Sequence, residues 1–574
     1  MRVATPGSDS KFKMKTAVPC TLGLDYGTNT VRALIVRTED GAEIGQGVAA
    51  YSHGEYGVVL DAREPEFARQ HPADYLDAVG IAVREALVAA REHQPGFLPE
   101  HILGIGVDTT GSTPLPVDSR GRALAEDSRF ARDPNAYAWL WKDHTSTVEA
   151  SRITTAAAKE HPEYLSKCGG VYSSEWFWAK IWHCANVAPE VAAAAHSWIE
   201  LADWIPAILT GTEAMPVRGI CTTGHKGLYH ESWGGFPEGG FLSSLHAELG
   251  RLRRALGSIH CVTADQPAGR LSAEWADRLG LCQGIPVASG ALDAHLGAVG
   301  SGIAPGVLVK ILGTSTCDIM VHPFSKGALP DVPGLCGIVP GSVLSGHHGL
   351  EAGQSAVGDL FNWFVSRCAP ANATHESLSA EAARLRPGES GLLALDWNNG
   401  NRTVLVDQRL TGLLLGQTLS TRPADIYRAL IEATAFGARV ILERLDEYGV
   451  TVDRIVNCGG IAEKSPLVMQ IYADVTGRPM QISRSTQTCA LGSAITGAVV
   501  SGIYPDMVAA QQAMTGVQPT VYRPNSPDVA TYNRLFPLYK TLHDAFGLGR
   551  STGDIGQVMK DLLALRDQAR PRRQ

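Results

Sequence analysis

Two short stretches half a chain apart carry the same local pattern, and this repetition limits the folds open to the chain more than any other feature. Gly23-Leu24-Asp25-Tyr26-Gly27-Thr28-Asn29-Thr30-Val31-Arg32-Ala33-Leu34-Ile35-Val36 reads as two apolar strands joined by a turn of small and hydroxylated residues. Val307-Leu308-Val309-Lys310-Ile311-Leu312-Gly313-Thr314-Ser315-Thr316-Cys317-Asp318-Ile319-Met320-Val321 reads the same way. Aligning the turns pairs Gly27 with Gly313, Thr28 with Thr314, Asn29 with Ser315 and Thr30 with Thr316. The glycine admits backbone angles closed to other residues, and successive free N–H groups in such a turn can cup an anion such as phosphate. Asp25 places a carboxylate beside the first cup. One Gly-Thr turn is usually only a hairpin, whereas two in matching strand contexts predict a duplicated α/β domain holding a nucleotide in the cleft between its copies.

A chain of 574 residues exceeds what one core supports, and 44% hydrophobic with 19% charged residues supplies two ordinary globular domains. A formal net charge of -8 gives no electrostatic reason for a nucleic-acid partner. The basic run 566–573 reads as a frayed terminus. Eleven cysteines without a C-x-x-C pair read as free thiols in a reducing compartment, with no zinc site. Residues 1–18 read as a disordered leader with no apolar run fit for export or for a membrane, so the expectation is a cytoplasmic protein without a membrane partner. Neither G-x-x-x-x-G-K-[ST] nor a protein-kinase catalytic loop occurs.

In chain order, a third strand is expected over 43–51, a helix over 72–91 and a buried strand over 102–107. That strand runs into the polar loop Asp108-Thr109-Thr110-Gly111-Ser112-Thr113-Pro114, and strand ends of this kind are where open α/β sheets hold ligands. Five of the eleven tryptophans fall in 139–144 and 173–182, as core or as the aromatic wall of a sugar pocket. Thr223-Gly224-His225-Lys226 reads as a polar loop, and so does 346–355. Residues 286–300 read as strand, glycine turn and a helix beginning near Asp293, which is either a helix cap or a base for a substrate hydroxyl. Residues 369–388 read as a surface excursion and 424–448 as a long helix. Arg454-Ile455-Val456-Asn457-Cys458-Gly459-Gly460 reads as a strand entering a glycine turn, set either for close packing or for the approach of a flat ring.

Residues 20 to about 545 resemble the FGGY carbohydrate kinases, on Gly106-Val107-Asp108-Thr109-Thr110-Gly111-Ser112-Thr113-Pro114, Trp141-Lys142-Asp143-His144, Tyr172-Ser173-Ser174-Glu175-Trp176-Phe177-Trp178-Ala179-Lys180, Gly224-His225-Lys226 and Gly349-Leu350-Glu351-Ala352-Gly353-Gln354-Ser355. The resemblance implies two actin/hexokinase-like (ribonuclease H-like) domains, each a mixed sheet flanked by helices, with the active site in the interdomain cleft. The expected division is 19–300, 301–547 and a C-terminal helix and tail over 548–574. It implies ATP-dependent transfer to the C5 hydroxyl of a small-molecule ketopentose, L-ribulose first. D-ribulose, L-xylulose or a pentitol is the alternative within the family, and a nucleotide-dependent assembly protein of the actin and chaperone type lies outside it. The implied nucleotide contacts are Gly27, Thr28, Asn29, Thr30, Arg32, Gly313, Thr314, Ser315, Gly459 and Gly460. Asn29 stands where Ser, Thr or Asp is more usual. Asp25 and Asp293 are implied to hold Mg2+, Asp25 through water, and Asp293 matches the family's catalytic base. Gly111, Lys226, Glu351 and Gln354 are the implied sugar contacts, and a homodimer is left open.

Overall fold

The structure, a computed structural model, describes residues 18–327, 329–550 and 553–569. The expected leader, save Val18, and the last residues of the basic tail lie outside them.

The apolar run Cys20–Tyr26 is buried along its whole length, as a strand covered on both faces must be. It pairs antiparallel with Thr30–Arg37, which pairs antiparallel with Glu43–Ala50. On its other side it pairs in parallel with Ile102–Thr109, followed in parallel by Pro286–Ala288 and then antiparallel by Pro267–Arg270. The second sheet repeats that order strand for strand. Val307–Leu312 lies antiparallel to Thr316–Pro323, which lies antiparallel to His347–Ala352. On its other side come Arg454–Cys458 and Met480–Ser483 in parallel, then Val517–Tyr522 antiparallel. Six strands thus correspond in order and direction, and the hairpin repeat seen in the sequence marks a duplicated domain. The C-terminal sheet adds Gly337–Pro340 at its edge.

Each sheet has its own core. Helix Pro72–His93 covers the first through Tyr75, Val79, Ala82, Val83 and Ala86, while helix Pro423–Glu447 anchors the second. Between them lies a cluster of mixed parentage that joins Leu34 and Val36, Leu292 and Leu296, Val307 and Val309, and Ala490, Ala494 and Ala498. Helix Thr488–Val500 belongs by sequence to the C-terminal half yet packs on the N-terminal sheet. It can do so because the facing strand positions are glycines. A Cβ at Gly23 would lie 1.8 Å from the Ala490 carbonyl oxygen, and one at Gly106 would lie 1.8 Å from that of Ser493.

Several local expectations change on folding. Residues 223–226 close the helix Ile220–Lys226 rather than forming a loop, and Gly224 is seated against Val339. Most of 346–355 is the strand His347–Ala352, in which Glu351 is buried while His347 and His348 are half-buried. The excursion at 369–388 contains the helix His375–Ala382, pinned by Leu378 and Ala382. Four of the five clustered tryptophans, Trp139, Trp176, Trp178 and Trp182, are buried in an aromatic core over 124–252, while Trp141 faces a cavity. No helix among the described residues is long and apolar enough to cross a membrane.

Candidate active site

Antiparallel pairing sets Asp25 opposite Arg32, and parallel pairing sets it beside Asp108. Arg32 Nη1 reaches Asp25 Oδ2 at 3.2 Å, and Ser493 Oγ donates to Asp108 Oδ2 at 2.6 Å. Burial raises the pKa of both carboxyls. Arg32 offsets part of the rise at Asp25, whereas the Asp25 charge adds to it at Asp108. Apart from a proton shared with the neighbouring Asp25 carboxyl, Asp108 Oδ1 meets no hydrogen-bond donor among the described residues. The carboxylate oxygens of Asp25 and Asp108 are the hard donors that a hydrated Mg2+ takes, while the third side chain within reach, Cys489, is a soft ligand whose thiol burial keeps protonated and which such an ion would leave aside.

The second strand end on this sheet delivers Asp293. It is the first residue of helix Asp293–Gly300, and Leu292 is the N-cap, so Asp293 does not cap the helix. Among the described residues its carboxylate accepts only from the adjacent Ala294 N–H, at 2.7 Å to Oδ1. Burial foremost, then the Asp25 carboxylate, pushes its pKa up to about 7, against the Ala294 N–H and Lys226. A carboxyl so placed exchanges its proton near neutral pH.

Asp293 lines a cavity of about 230 Å³ together with Gly111, Trp141, Lys226, Glu351 and the turn Gly313-Thr314-Ser315. The first hairpin reaches the same cavity through Trp141, whose indole N–H donates to Thr28 Oγ1 at 3.0 Å. Both turns therefore abut one cleft. The N–H groups of Thr28, Asn29, Thr314 and Ser315 donate to no acceptor among the described residues. The Asn29 side chain is turned away, its amide donating to the Tyr56 carbonyl at 2.5 Å.

At the cavity wall, Lys226 Nζ donates to both Glu351 oxygens, at 3.2 and 3.1 Å. Burial alone would raise the Glu351 pKa, but Lys226 overcomes it and holds Glu351 well below the usual carboxylate range. His225 Nδ1 lies 3.3 Å from Glu351 Oε2, and the His225 and His295 Nε2 atoms are 3.0 Å apart. Burial keeps both imidazoles neutral, with His295 lowered to about 4, so Lys226 supplies the full positive charge in contact with Glu351. The Gly111 loop is held from behind. Lys180 donates to the carbonyls of Ser112, Trp139 and Leu140, and Glu200 accepts from the Thr113 N–H and the Ser112 hydroxyl.

The other expected residues are distributed as follows. Thr30 opens its strand, and Arg32 is part-exposed beside Asp25. Gly459, at φ +94°, is required by packing, since a Cβ there would lie 2.5 Å from the Leu312 carbonyl oxygen, one residue before the second turn. Gly460 borders open space. The placement of Gln354 as a sugar contact is corrected. Its amide donates to Asp396 and to the Thr434 carbonyl, and its oxygen accepts from Lys310, so the side chain is spent inside the C-terminal core. Arg402 also lines the cavity and was not singled out in the sequence, because it stands in the aperiodic run Asn398-Asn399-Gly400-Asn401-Arg402.

Residues 20–300 match the model of the FGGY family of carbohydrate kinases, N-terminal domain, and 308–501 match that of its C-terminal domain. The chain is 44% identical over 532 residues to a ribulokinase from Vibrio parahaemolyticus, covering 89% of this chain and 93% of that one. It is 42% identical to a ribulokinase from Mycolicibacterium smegmatis over 547 residues, covering 92% and 94%. Among solved structures, a xylulose kinase from Brucella ovis superposes with a TM-score of 0.76 at 20% identity, covering 92% and 100%. The glycerol kinase of Plasmodium falciparum, solved with ADP, gives 0.72 at 14%, covering 90% and 97%.

Proposed function

Because this chain belongs to the FGGY family of carbohydrate kinases, we propose that it transfers the γ-phosphoryl group of ATP to the C5 hydroxyl of L-ribulose, giving L-ribulose 5-phosphate. The observation that carries the reading is a half-buried carboxyl poised near neutrality, Asp293, in one cavity with a Gly-Thr-Ser turn and a charged pair suited to sugar hydroxyls. Phosphoryl transfer asks little covalent help of a protein, so positioning and charge compensation carry the rate. Asp293 accepts the hydroxyl proton, the N–H groups of Thr28, Thr314 and Ser315 orient phosphate oxygens, and Gly460 leaves room for the flat adenine ring. Asp25 and Asp108 would hold a hydrated Mg2+, which when bound supplies charge neutralisation at those oxygens, and Asp293, which feels the Asp25 charge, is proposed to share in holding it. Lys226 and Glu351 donate to and accept from the sugar oxygens, and the backbone at Gly111 borders the same space.

A panel of L-ribulose, D-ribulose, L-xylulose and pentitols, read by ADP release and by the mass of the product, tests the reading. L-ribulose is expected to give the highest kcat/KM. A product from a pentitol alone, or ADP without any sugar phosphate, overturns it.

Two further results are expected. Lys226→Met and Glu351→Gln each raise the KM for the sugar by about 10-fold or more, the scale of a charged hydrogen bond, and leave the KM for ATP within about twofold. The pH profile follows from the raised pKa of Asp293. The carboxylate is the reactive form, so kcat/KM for the sugar falls as pH drops through about 7 and levels off above it. A profile flat between pH 5 and 8 removes Asp293 as the base.

A further inference from the structure

The cleft continues past the Lys226–Glu351 pair. A second chamber of about 320 Å³ shares Glu175, Lys226, Glu351 and Arg402 with the first, but Asp293 lines only the first. These four side chains form the gate between the chambers, and a ligand with its reacting end at Asp293 presents its other end to them.

Two of the four are paired with each other, Lys226 with Glu351. The remaining two are not. The Arg402 guanidinium donates to Cys317 Sγ, a weak acceptor at 3.9 Å, and hydrogen-bonds to no oxygen among the described residues. The Glu175 carboxylate accepts no hydrogen bond there, and only its backbone N–H is engaged, with Ser173 Oγ at 3.1 Å. Both side chains are half-buried at the gate, and the Glu175 and Glu351 carboxylates help keep Arg402 charged while its N–H donors stay free to meet a ligand. They come from opposite halves of the chain, Glu175 from the N-terminal and Arg402 from the C-terminal half.

The loop that carries Arg402 is fixed. Thr403 Oγ1 accepts from the Gly353 N–H at 3.2 Å and lies 3.2 Å from Cys336 Sγ. Asn401 and Asp407 exchange two backbone hydrogen bonds at 2.9 Å, and Asn401 Oδ1 accepts from the Leu405 N–H at 2.9 Å. Since Gly353 lies two residues beyond Glu351, the loop is tied to the strand that bears the sugar-facing carboxylate.

We infer that Glu175 and Arg402 form a subsite for the α-hydroxyketone end of an open-chain ketose. Arg402 donates its parallel N–H bonds to the C2 carbonyl and an adjacent oxygen, and Glu175 accepts from the C1 hydroxyl. This rests on the reading of the chain as a ketopentose kinase. It adds that the pair selects a 2-ketose over the corresponding alcohol, because a planar fork of donors matches a carbonyl better than a tetrahedral carbinol. It also makes the sugar itself a bridge between the two halves.

The test uses the full chain with L-ribulose, 1-deoxy-L-ribulose and L-arabitol at saturating ATP. Arg402→Gln is expected to lower kcat/KM for L-ribulose by about 10- to 100-fold, mostly through KM, as loss of a charged hydrogen bond predicts. The KM for ATP stays within about twofold, and the preference for L-ribulose over L-arabitol shrinks by a similar factor. Arg402→Lys retains part of the preference. Glu175→Gln, nearly isosteric and from the other half of the chain, is expected to cost about 10-fold with L-ribulose and almost nothing with the 1-deoxy sugar. It carries the test alone should the arginine variants fail to fold. Equal losses on all three sugars, or an unchanged sugar KM in both glutamine variants, overturn the subsite while the kinase reading stands. A wild-type protein that forms no phosphate of any ketopentose overturns the kinase reading, and the subsite falls with it.

Discussion

Asp293→Asn is expected to lower turnover by about 10²- to 10⁴-fold, the range that a positioned base contributes, with binding of ATP and sugar nearly unchanged. The amide is isosteric and still accepts from the Ala294 N–H, so the helix start survives. Stability moves the other way. The folded pKa of Asp293 is raised above its unfolded value, so above about pH 7 the ionised carboxylate is held at a cost inside the fold. Asparagine removes that cost, and the variant is expected to melt at or above the wild-type temperature at pH 8. Single-turnover kinetics, ATP titration and thermal melting together decide the matter. Near-normal turnover would leave Asp293 a structural residue at a helix start, and a large drop in melting temperature would mean that the lost activity reports damage to the fold.

The second large effect is on the fold itself. Gly106→Ala is expected to destabilise the protein by about 3 kcal/mol, because an added Cβ would lie 1.8 Å from the Ser493 carbonyl oxygen and 2.3 Å from Thr496 Oγ1. Backbone cannot swing aside as a long side chain can, so helix Thr488–Val500 must back away from the N-terminal sheet. Ser493 is also the donor that holds Asp108, so the carboxylate pair is expected to loosen with it and activity to fall beyond the loss of folded protein. Gly240→Ala is the control. That glycine is an exposed position of the helix Gly239–Leu245 with nothing within 4 Å of the added atom, and alanine there is neutral or stabilising by up to about 1 kcal/mol. Urea midpoints and activity of the two variants side by side measure the difference. Equal midpoints would mean that the close approach of helix and sheet is not what joins the halves.

Local chemistry explains which features were legible before folding. The two Gly-Thr turns announce themselves because a hairpin is written in contiguous residues. Apolar runs give the strands, and small hydroxylated residues give the tip. Helices Pro72–His93 and Pro423–Glu447 were equally legible, since each opens on proline and carries a long apolar face. Polar runs misled for the opposite reason. Residues 223–226 and 347–352 look like polar loops, yet they are a helix end and a strand, and Lys226, His225 and Glu351 are buried because they meet one another across the cleft. Gln354 shows the same ambiguity with the other outcome, its amide being absorbed by Lys310, Asp396 and the Thr434 carbonyl in the core.

By itself the sequence determined the duplicated α/β plan, the two anion-cupping turns and a carboxyl at the end of a strand, since each is set by the chemistry of neighbouring residues. Tertiary structure alone decided that Asp293 and Asp25 share one electrostatic site, that Arg402 reaches the gate of a second chamber, and that Gly23 and Gly106 let a distant helix close the joint. The physical reason is one of range. Backbone periodicity tells which face of an element is apolar, but the partner of a buried charge and the clearance of a backbone depend on chain segments hundreds of residues away.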